Sequence, residues 1–277
     1  MPSVWPLRPQ YIVRFWKVQA IGNDFPLVRL ENVNPDKLPE LAIRMADRRF
    51  GVGGDGLLAM GSDADGGPRL RMFNPDGTED FCGNGLRAAA WWAFQEGLAG
   101  KTFTLRHLER EVEVQIEDDL VTTILGKASY TPADVPHTHA QELFDTEVFP
   151  GRPGSAITTG STHVVLWTED LPESPDFEAA SAQYENDPRF PFRTSVIWSK
   201  RTGENEIAIR IWERGVGETL GCGTGSTAAA ADLMRRRGSG GTIEVQNRGG
   251  SVKVSAEAWN APLQISGTAT IVYQGDL

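Results

Sequence analysis

The stretch Phe81-Cys82-Gly83-Asn84-Gly85-Leu86-Arg87-Ala88-Ala89-Ala90 is answered 140 positions later by Gly221-Cys222-Gly223-Thr224-Gly225-Ser226-Thr227-Ala228-Ala229-Ala230. Each copy reads Cys-Gly-X-Gly and runs into an alanine-rich segment, and no other cysteine occurs among the 277 residues. The spacing is about half the chain, so a duplicated half is the simplest reading. It predicts an α/β fold of the α+β type with two pseudo-symmetric domains, each a curved, mostly antiparallel sheet around one main helix.

Patterning outside the two phrases agrees with that plan. Alternating apolar residues predict strands over Tyr11–Val18, Phe103–Val114 and Leu120–Ile124, then over Thr162–Trp167, Ser195–Trp198, Ile207–Trp212, Thr242–Gln246 and Ser251–Val254. Helices are predicted over Lys37–Ala46, Leu86–Glu96 and Thr227–Arg237, the last ending at Gly238 with three arginines in its final turn, where cations suit the helix dipole. The expected division is a first half over residues 1–120, completed by a strand from 267–277, and a second half over 121–266. Lys127–Ser155, with four prolines, reads as a loop-rich entry to the second half. Its His137 and His139 read as solvated loop residues. No third ligand is spaced to join them, so no metal is expected.

Composition narrows the partners. Twenty-seven basic residues against 37 acidic ones give a net charge of −10, which offers no footprint for nucleic acid or an anionic membrane and leaves a small molecule as the expected partner. Met1–Arg14 carries Pro2, Pro6 and Pro9 and lacks both a cationic start and an unbroken apolar stretch, so no export signal is expected. No segment has the length of a membrane span. Two cysteines without an export signal point to the reducing cytoplasm, where thiols stay free. A homodimer is left open.

Glycines flanking a cysteine where a strand turns into a helix leave backbone amides uncovered, and such amides form an anion site. Two such sites facing each other can bind one carboxylate and place its α-carbon between two sulfurs. One thiolate then removes a proton from one face while the opposite thiol returns one to the other, which requires no cofactor. The same helix ends are expected to depress both thiol pKa values. Two plainer alternatives exist. A cysteine can be a small buried hydrophobe beside a turn, and Cys82 can pair with Cys222 as a disulfide, although that leaves the matched glycines and helices unexplained.

Phe73-Asn74-Pro75-Asp76-Gly77-Thr78-Glu79-Asp80-Phe81-Cys82-Gly83-Asn84-Gly85 and Glu213-Arg214-Gly215-Val216-Gly217-Glu218-Thr219-Leu220-Gly221-Cys222-Gly223-Thr224-Gly225 resemble the two signature segments of the diaminopimelate epimerases. Gly22-Asn23-Asp24-Phe25 and Arg49–Leu58 are similar to two further segments of that family, and Leu263–Gly275 to its closing strand. The resemblance implies an epimerase independent of pyridoxal phosphate, with its site between the halves. Cys82 and Cys222 would be the acid and base pair, and the amides of Gly83, Asn84, Gly223 and Thr224 would hold the reacting carboxylate. Asn23 would shape the site; Asn74, Glu213 and Arg214 would bind the distal amino-acid group. His163 matches the family's histidine beside one thiol, and Glu213 would support catalysis with it. Glu213 and Arg214 are adjacent, so both reach one ligand only from a bulge or loop.

The sequence departs from the family distally. Gly160-Ser161-Thr162-His163 stands where the family has Gly-Asn-Pro-His, Ser195 aligns with a second expected asparagine, and Gln19-Ala20 replaces His-Gly. Two distal amides are thereby lost, each hydrogen bond to a charged group being worth about 1.5–3 kcal/mol. Arg193, two residues before Ser195, is a candidate to compensate. Three readings follow: diaminopimelate epimerase; a racemase of another amino acid, such as histidine or lysine, on the same machinery; and a non-catalytic amino-acid-binding or thiol-redox protein.

Overall fold

Alternating and buried apolar residues along the first half give β1 (Arg14–Ala20), β2 (Asn23–Arg29), helix α1 (Leu38–Ala46), β3 (Leu57–Ser62), β4 (Pro68–Phe73), α2 (Gly83–Gln95), β5 (Thr102–His107), β6 (Arg110–Glu117) and β7 (Leu120–Gly126) in the computed structural model, which describes residues 12–63 and 65–277. The rest of the chain forms β8 (Thr146–Phe149), β9 (Arg152–Thr158), β10 (Thr162–Trp167), α3 (Asp176–Glu185), β11 (Ser195–Arg201), β12 (Glu206–Glu213), β13 (Gly217–Thr219), α4 (Gly223–Arg237), β14 (Gly241–Asn247), β15 (Gly250–Ala256), β16 (Leu263–Thr268) and β17 (Thr270–Asp276). Tyr11 and most of Met1–Arg14 lie outside the described residues.

The pairing pattern is itself repeated. In the first half β1 pairs antiparallel with β2, β2 parallel with β3, β3 antiparallel with β4, β4 parallel with β5, and β5, β6 and β7 follow antiparallel. The second half runs through β9, β10, β11, β12, β14, β15 and β16 with the same alternation, its parallel pairs being β10 with β11 and β12 with β14. At the outer end β17 pairs with β1 as β8 pairs with β9. Strand β7 pairs with both β6 and β16, so one ladder runs through both halves.

Each sheet wraps a helix that is buried on nearly every side. In α2, Leu86 through Ala90 and Trp92–Ala93 are buried, and they pack with Trp16, Phe25, Leu58 and Val114. In α4, Ser226 through Met234 are buried and pack with Ile197, Ile209, Ile211 and Val254. Alanine suits both positions twice over, as the best helix former and as a side chain small enough to let a sheet close around the axis.

Several expectations are corrected in detail. The two central helices begin at Gly83 and Gly223, a turn earlier than apolar periodicity alone suggests. Phe103–Val114 is a hairpin, β5 and β6, that turns at Leu108 with φ 55°. Its turn carries none of the glycine or asparagine that favours such a φ. The loop-rich Lys127–Ser155 contains β8 and the start of β9, and Leu263–Gly275 covers two strands, β16 and β17.

Candidate active site

Cys82 and Cys222 are the N-cap residues of α2 and α4. Their backbones are extended, at φ −134°, ψ 112° and φ −129°, ψ 120°, and each sulfur accepts the amide of the glycine three residues on, Gly85 at 3.3 Å and Gly225 at 3.4 Å. A cysteine here does what serine or aspartate does at an ordinary cap. Helix geometry leaves the amides of Gly83, Asn84, Gly223 and Thr224 without intrahelical acceptors. Both sulfurs are free thiols rather than a disulfide.

The two helix starts meet across the half-chain boundary. Asn84, buried in the first turn of α2, donates from Nδ2 to the Gly221 carbonyl at 2.9 Å. Gly221 also abuts the Ile21–Gly22 turn that joins β1 to β2, and a Cβ on Gly221 would lie 2.9 Å from the Ile21 carbonyl oxygen. Ile21 pays for that approach with a left-handed φ of 47°, strained for a β-branched residue.

Around Cys82, Asn23 Oδ1 lies 3.5 Å from the sulfur and accepts its proton. Asn23 is oriented in turn by Asp55, which accepts from its Nδ2 and, at 3.0 Å, from the Asp24 amide. The Cys82 amide donates to His107 Nε2 at 3.3 Å, so that nitrogen is unprotonated, and the imidazole stacks on Phe81 with centroids 4.9 Å apart. Burial holds the His107 pKa down to about 4.

Around Cys222, Thr224 Oγ1 stands 3.4 Å from the sulfur, 3.0 Å from Ser161 Oγ and 3.3 Å from His163 Nε2. His163 thus reaches the thiol through a hydroxyl. Burial, with Arg214 adding to it, presses its pKa down to about 3, so the ring is neutral, and its Nδ1 is buried without a hydrogen-bond partner. Glu213 ends β12 beside the same thiol; its carboxyl accepts the Thr219 hydroxyl at 2.6 Å and hydrogen-bonds Cys222. Burial raises the Glu213 pKa.

Both thiols titrate high, which overturns the expectation that the helix ends depress them. Burial pushes Cys82 up to about 11, and the Glu213 charge adds to this against the lowering effect of the Gly85 amide. Cys222 rises well above the ordinary range for the same reasons, with Glu213 second only to burial. Desolvation of a thiolate outweighs a few amide dipoles where most of the water around the sulfur is excluded.

The distal residues are engaged within the protein. Asn74 closes its own turn, its side chain donating to Thr78 Oγ1 at 3.0 Å. Ser195, buried at the start of β11, accepts the Arg214 amide at 3.1 Å, while Arg214 leaves the strand in a turn and donates from Nη1 to the Phe192 carbonyl at 3.1 Å. Glu213 is thus the last residue of β12 and Arg214 the first of the turn that follows it. Arg193 is committed elsewhere: it pairs with buried Glu185 at 2.8 Å, and the same carboxylate accepts Trp212 Nε1 at 2.6 Å and the Gly215 amide at 2.8 Å. Asp55, His107 and Glu185 were not singled out from sequence. Only Asp55, inside Gly53-Gly54-Asp55-Gly56, stood in a conspicuous phrase. No group of three or more metal-ligating side chains occurs among the described residues.

The fold has solved counterparts. A phenazine biosynthesis protein of the PhzF family from Bacillus anthracis superposes with a TM-score of 0.73 at 16% identity, covering 97% of this chain and 99% of its own. A hydroxyproline epimerase from Agrobacterium vitis gives 0.67 at 12% identity, covering 97% of this chain and 91% of its own. Curated diaminopimelate epimerases are nearer in sequence. The protein of Aromatoleum aromaticum is 34% identical over 274 residues, 96% of this chain and 98% of that one, and the protein of Pelotomaculum thermopropionicum is 34% identical over 284 residues, 95% and 98%. The chain is an isomerase of the amino-acid epimerase class, with a duplicated α+β fold. A profile of the diaminopimelate epimerases matches residues 15–131 and 155–272, so the chain belongs to the diaminopimelate epimerase family.

Proposed function

We propose that the chain interconverts LL- and meso-diaminopimelate without a cofactor, using Cys82 and Cys222 as a two-base pair. The observation that carries this reading is the matched placement of the two thiols at the caps of two helices whose first turns are joined through Asn84 and Gly221. A carboxylate held by the amides of Gly83, Asn84, Gly223 and Thr224 sits where charge develops as the α-proton leaves, and fixed dipoles stabilise it without reorganising. In one direction Cys222 passes its thiol proton to the Glu213 carboxylate that hydrogen-bonds it, and the thiolate takes the substrate proton while Cys82 donates from the other face. After turnover Cys82 is the thiolate, poised for the reverse direction. The proton left on Glu213 goes back to Cys222 when the reverse turnover reprotonates Cys82 from the substrate and leaves Cys222 as the thiolate, with His163 held beside that sulfur through Thr224. Asn23, fixed by Asp55, keeps the Cys82 S–H aimed.

Glu213, Arg214 and Asn74 are proposed to meet the distal amino-acid group, with waters taking the places that Ser161 and Ser195 leave. A reducing cytoplasm suits two thiols that must not oxidise. One observation favours a second reading, racemisation of a different amino acid: both serines spend their hydroxyls on the protein, Ser161 on His163 and Thr224, Ser195 on Arg214. Incubation in D₂O with a panel of amino acids, followed by mass spectrometry of α-deuterium, decides between them. Fastest exchange with diaminopimelate supports the first reading, faster exchange with a monocarboxylate such as histidine or lysine the second, and no exchange with any of them sinks both.

A further inference from the structure

Arg87 lies one turn into α2 and is fully buried, yet no carboxylate pairs with it among the described residues. Its Nη2 donates to Asn84 Oδ1, while Nε and Nη1 have no hydrogen-bond partner. An enclosed cation without a counterion opposes folding, so its presence needs a reason. Helix formation is not that reason. The corresponding residue of α4 is Thr227, which satisfies itself by donating to the Gly223 carbonyl at 2.8 Å.

The position of the guanidinium supplies the reason. A Cβ on Gly223, the first residue of α4, would lie 3.3 Å from Nη1, and one on Gly267 in β16 would lie 3.5 Å from Nε. The arginine of one half is therefore packed against the helix start of the other. Asn84, which holds the guanidinium, also donates to Gly221 immediately before Cys222. From this place the charge acts on both Cys82 and Cys222.

We propose that Arg87 is a positioning residue for the two-thiol chemistry: a permanently buried, unneutralised cation common to both helix starts, which holds negative charge on either thiolate and on the carboxylate between them. The other charged groups at the site do not do this. Glu213 raises both thiols, Asp55 stands behind Asn23, and Arg214 acts on His163. His107 and His163 are neutral. Arginine is suited to the task because burial lowers its pKa only to about 10, leaving it charged at neutral pH.

The carboxylate part of this inference rests on the epimerase reading; the thiol part does not, and the test uses the thiols. Substrate-free wild type, Arg87→Met, Arg87→Gln and Arg87→Lys are alkylated with iodoacetamide across a pH series, and Cys82 and Cys222 are quantified separately by peptide mass spectrometry alongside the Tm of each variant. The uncharged variants are expected to move both alkylation midpoints upward and to slow alkylation at pH 8 about tenfold, one pKa unit of thiolate fraction. Their Tm is expected to hold or rise, since an unpaired buried charge has gone, and the Lys variant is expected to stay near wild type. Unmoved midpoints in the Met and Gln variants, a shift at one thiol only, or a Lys variant as displaced as Gln overturns the proposal. Should the Met variant not fold, the Gln variant carries the same comparison. Absence of α-deuteration by wild type would remove the epimerase reading and leave the alkylation result standing.

Discussion

Cys82 and Cys222 occupy the same station on two copies of one backbone, and their surroundings differ in nearly every group that can move a proton. Cys82 is partly exposed and faces the amide Asn23, with a neutral histidine behind its own N–H; Cys222 is buried and faces a carboxyl and a relay of hydroxyls ending in His163. The duplication supplies the geometry of inversion, two opposed caps. Divergence between the copies supplies the chemistry, because unlike surroundings decide which of the two thiols keeps its proton and which gives it up.

The harshest way to break the pair is to remove a sulfur. Cys82→Ala and Cys222→Ala should each lower epimerisation by at least about 10³-fold, since each deletes one of two essential proton-transfer groups, with circular dichroism unchanged. Wild-type turnover in either variant would rule out a two-base mechanism. Serine at either position should impair one direction of exchange more than the other, because a hydroxyl donates a proton but is a poor base at neutral pH; equal loss in both directions would erase the asymmetry argued above.

Glu213→Gln sharpens the comparison one step down. It removes the charge that raises both thiols and the acceptor that Cys222 uses. Activity should fall by about 10²-fold. The alkylation midpoint of Cys222, which Glu213 hydrogen-bonds, should drop further than that of Cys82. A larger drop at Cys82 would place the carboxylate's influence on the wrong thiol.

The two histidines allow a comparison in stability. His107 and His163 have folded pKa values of about 4 and about 3, below the unfolded value of about 6.5, so the unfolded chain takes up protons first as pH falls. Their contribution is complete above pH 6.5 and is lost on acidification, at about 1.4 kcal/mol per pH unit for each between roughly pH 6 and 4. Urea unfolding at pH 7.5, 6.0 and 5.0 should show that slope. His107→Gln should flatten it by about one histidine's share; an unchanged slope would mean that ring is not buried neutral.

Smallest is the distal pocket. Restoring asparagine at positions 161 and 195 should raise diaminopimelate turnover by up to about tenfold or leave it unchanged, the amides returning one or two hydrogen bonds to a charged group. A variant that turns a better monocarboxylate racemase into a diaminopimelate epimerase would establish the second substrate reading.

The duplicated phrase made the architecture legible, because it marked both central helices and implied the halves around them. Elements that lacked an apolar period stayed hidden. Helix α3 buries only Phe177, Ser181 and Glu185, a stripe at i, i+4, i+8 with a single hydrophobe, and no periodicity search finds it. At the site, the cysteines, glycines, Asn23, His163, Glu213 and Arg214 could be named because they sit within or beside recognisable phrases. His107, Glu185 and the isolated charge of Arg87 could not, since what distinguishes them is enclosure and the lack or choice of a partner. The direction of the thiol titration is hidden for the same reason: a helix end is visible in sequence, and the burial around a sulfur is not.

Strand β17 pairs along β1 at the outer edge of the first half, with Arg14 reaching Gln274 across 260 positions of sequence. During synthesis the ribosome emits β1 early and its neighbour only after β16, when both thiol caps have already left the exit tunnel. Until then the edge of β1 stays open, and Phe15 and Trp16 lack the neighbour that closes over them. The second half, by contrast, receives β8 before any of the strands it joins. The copy made first is the one completed last.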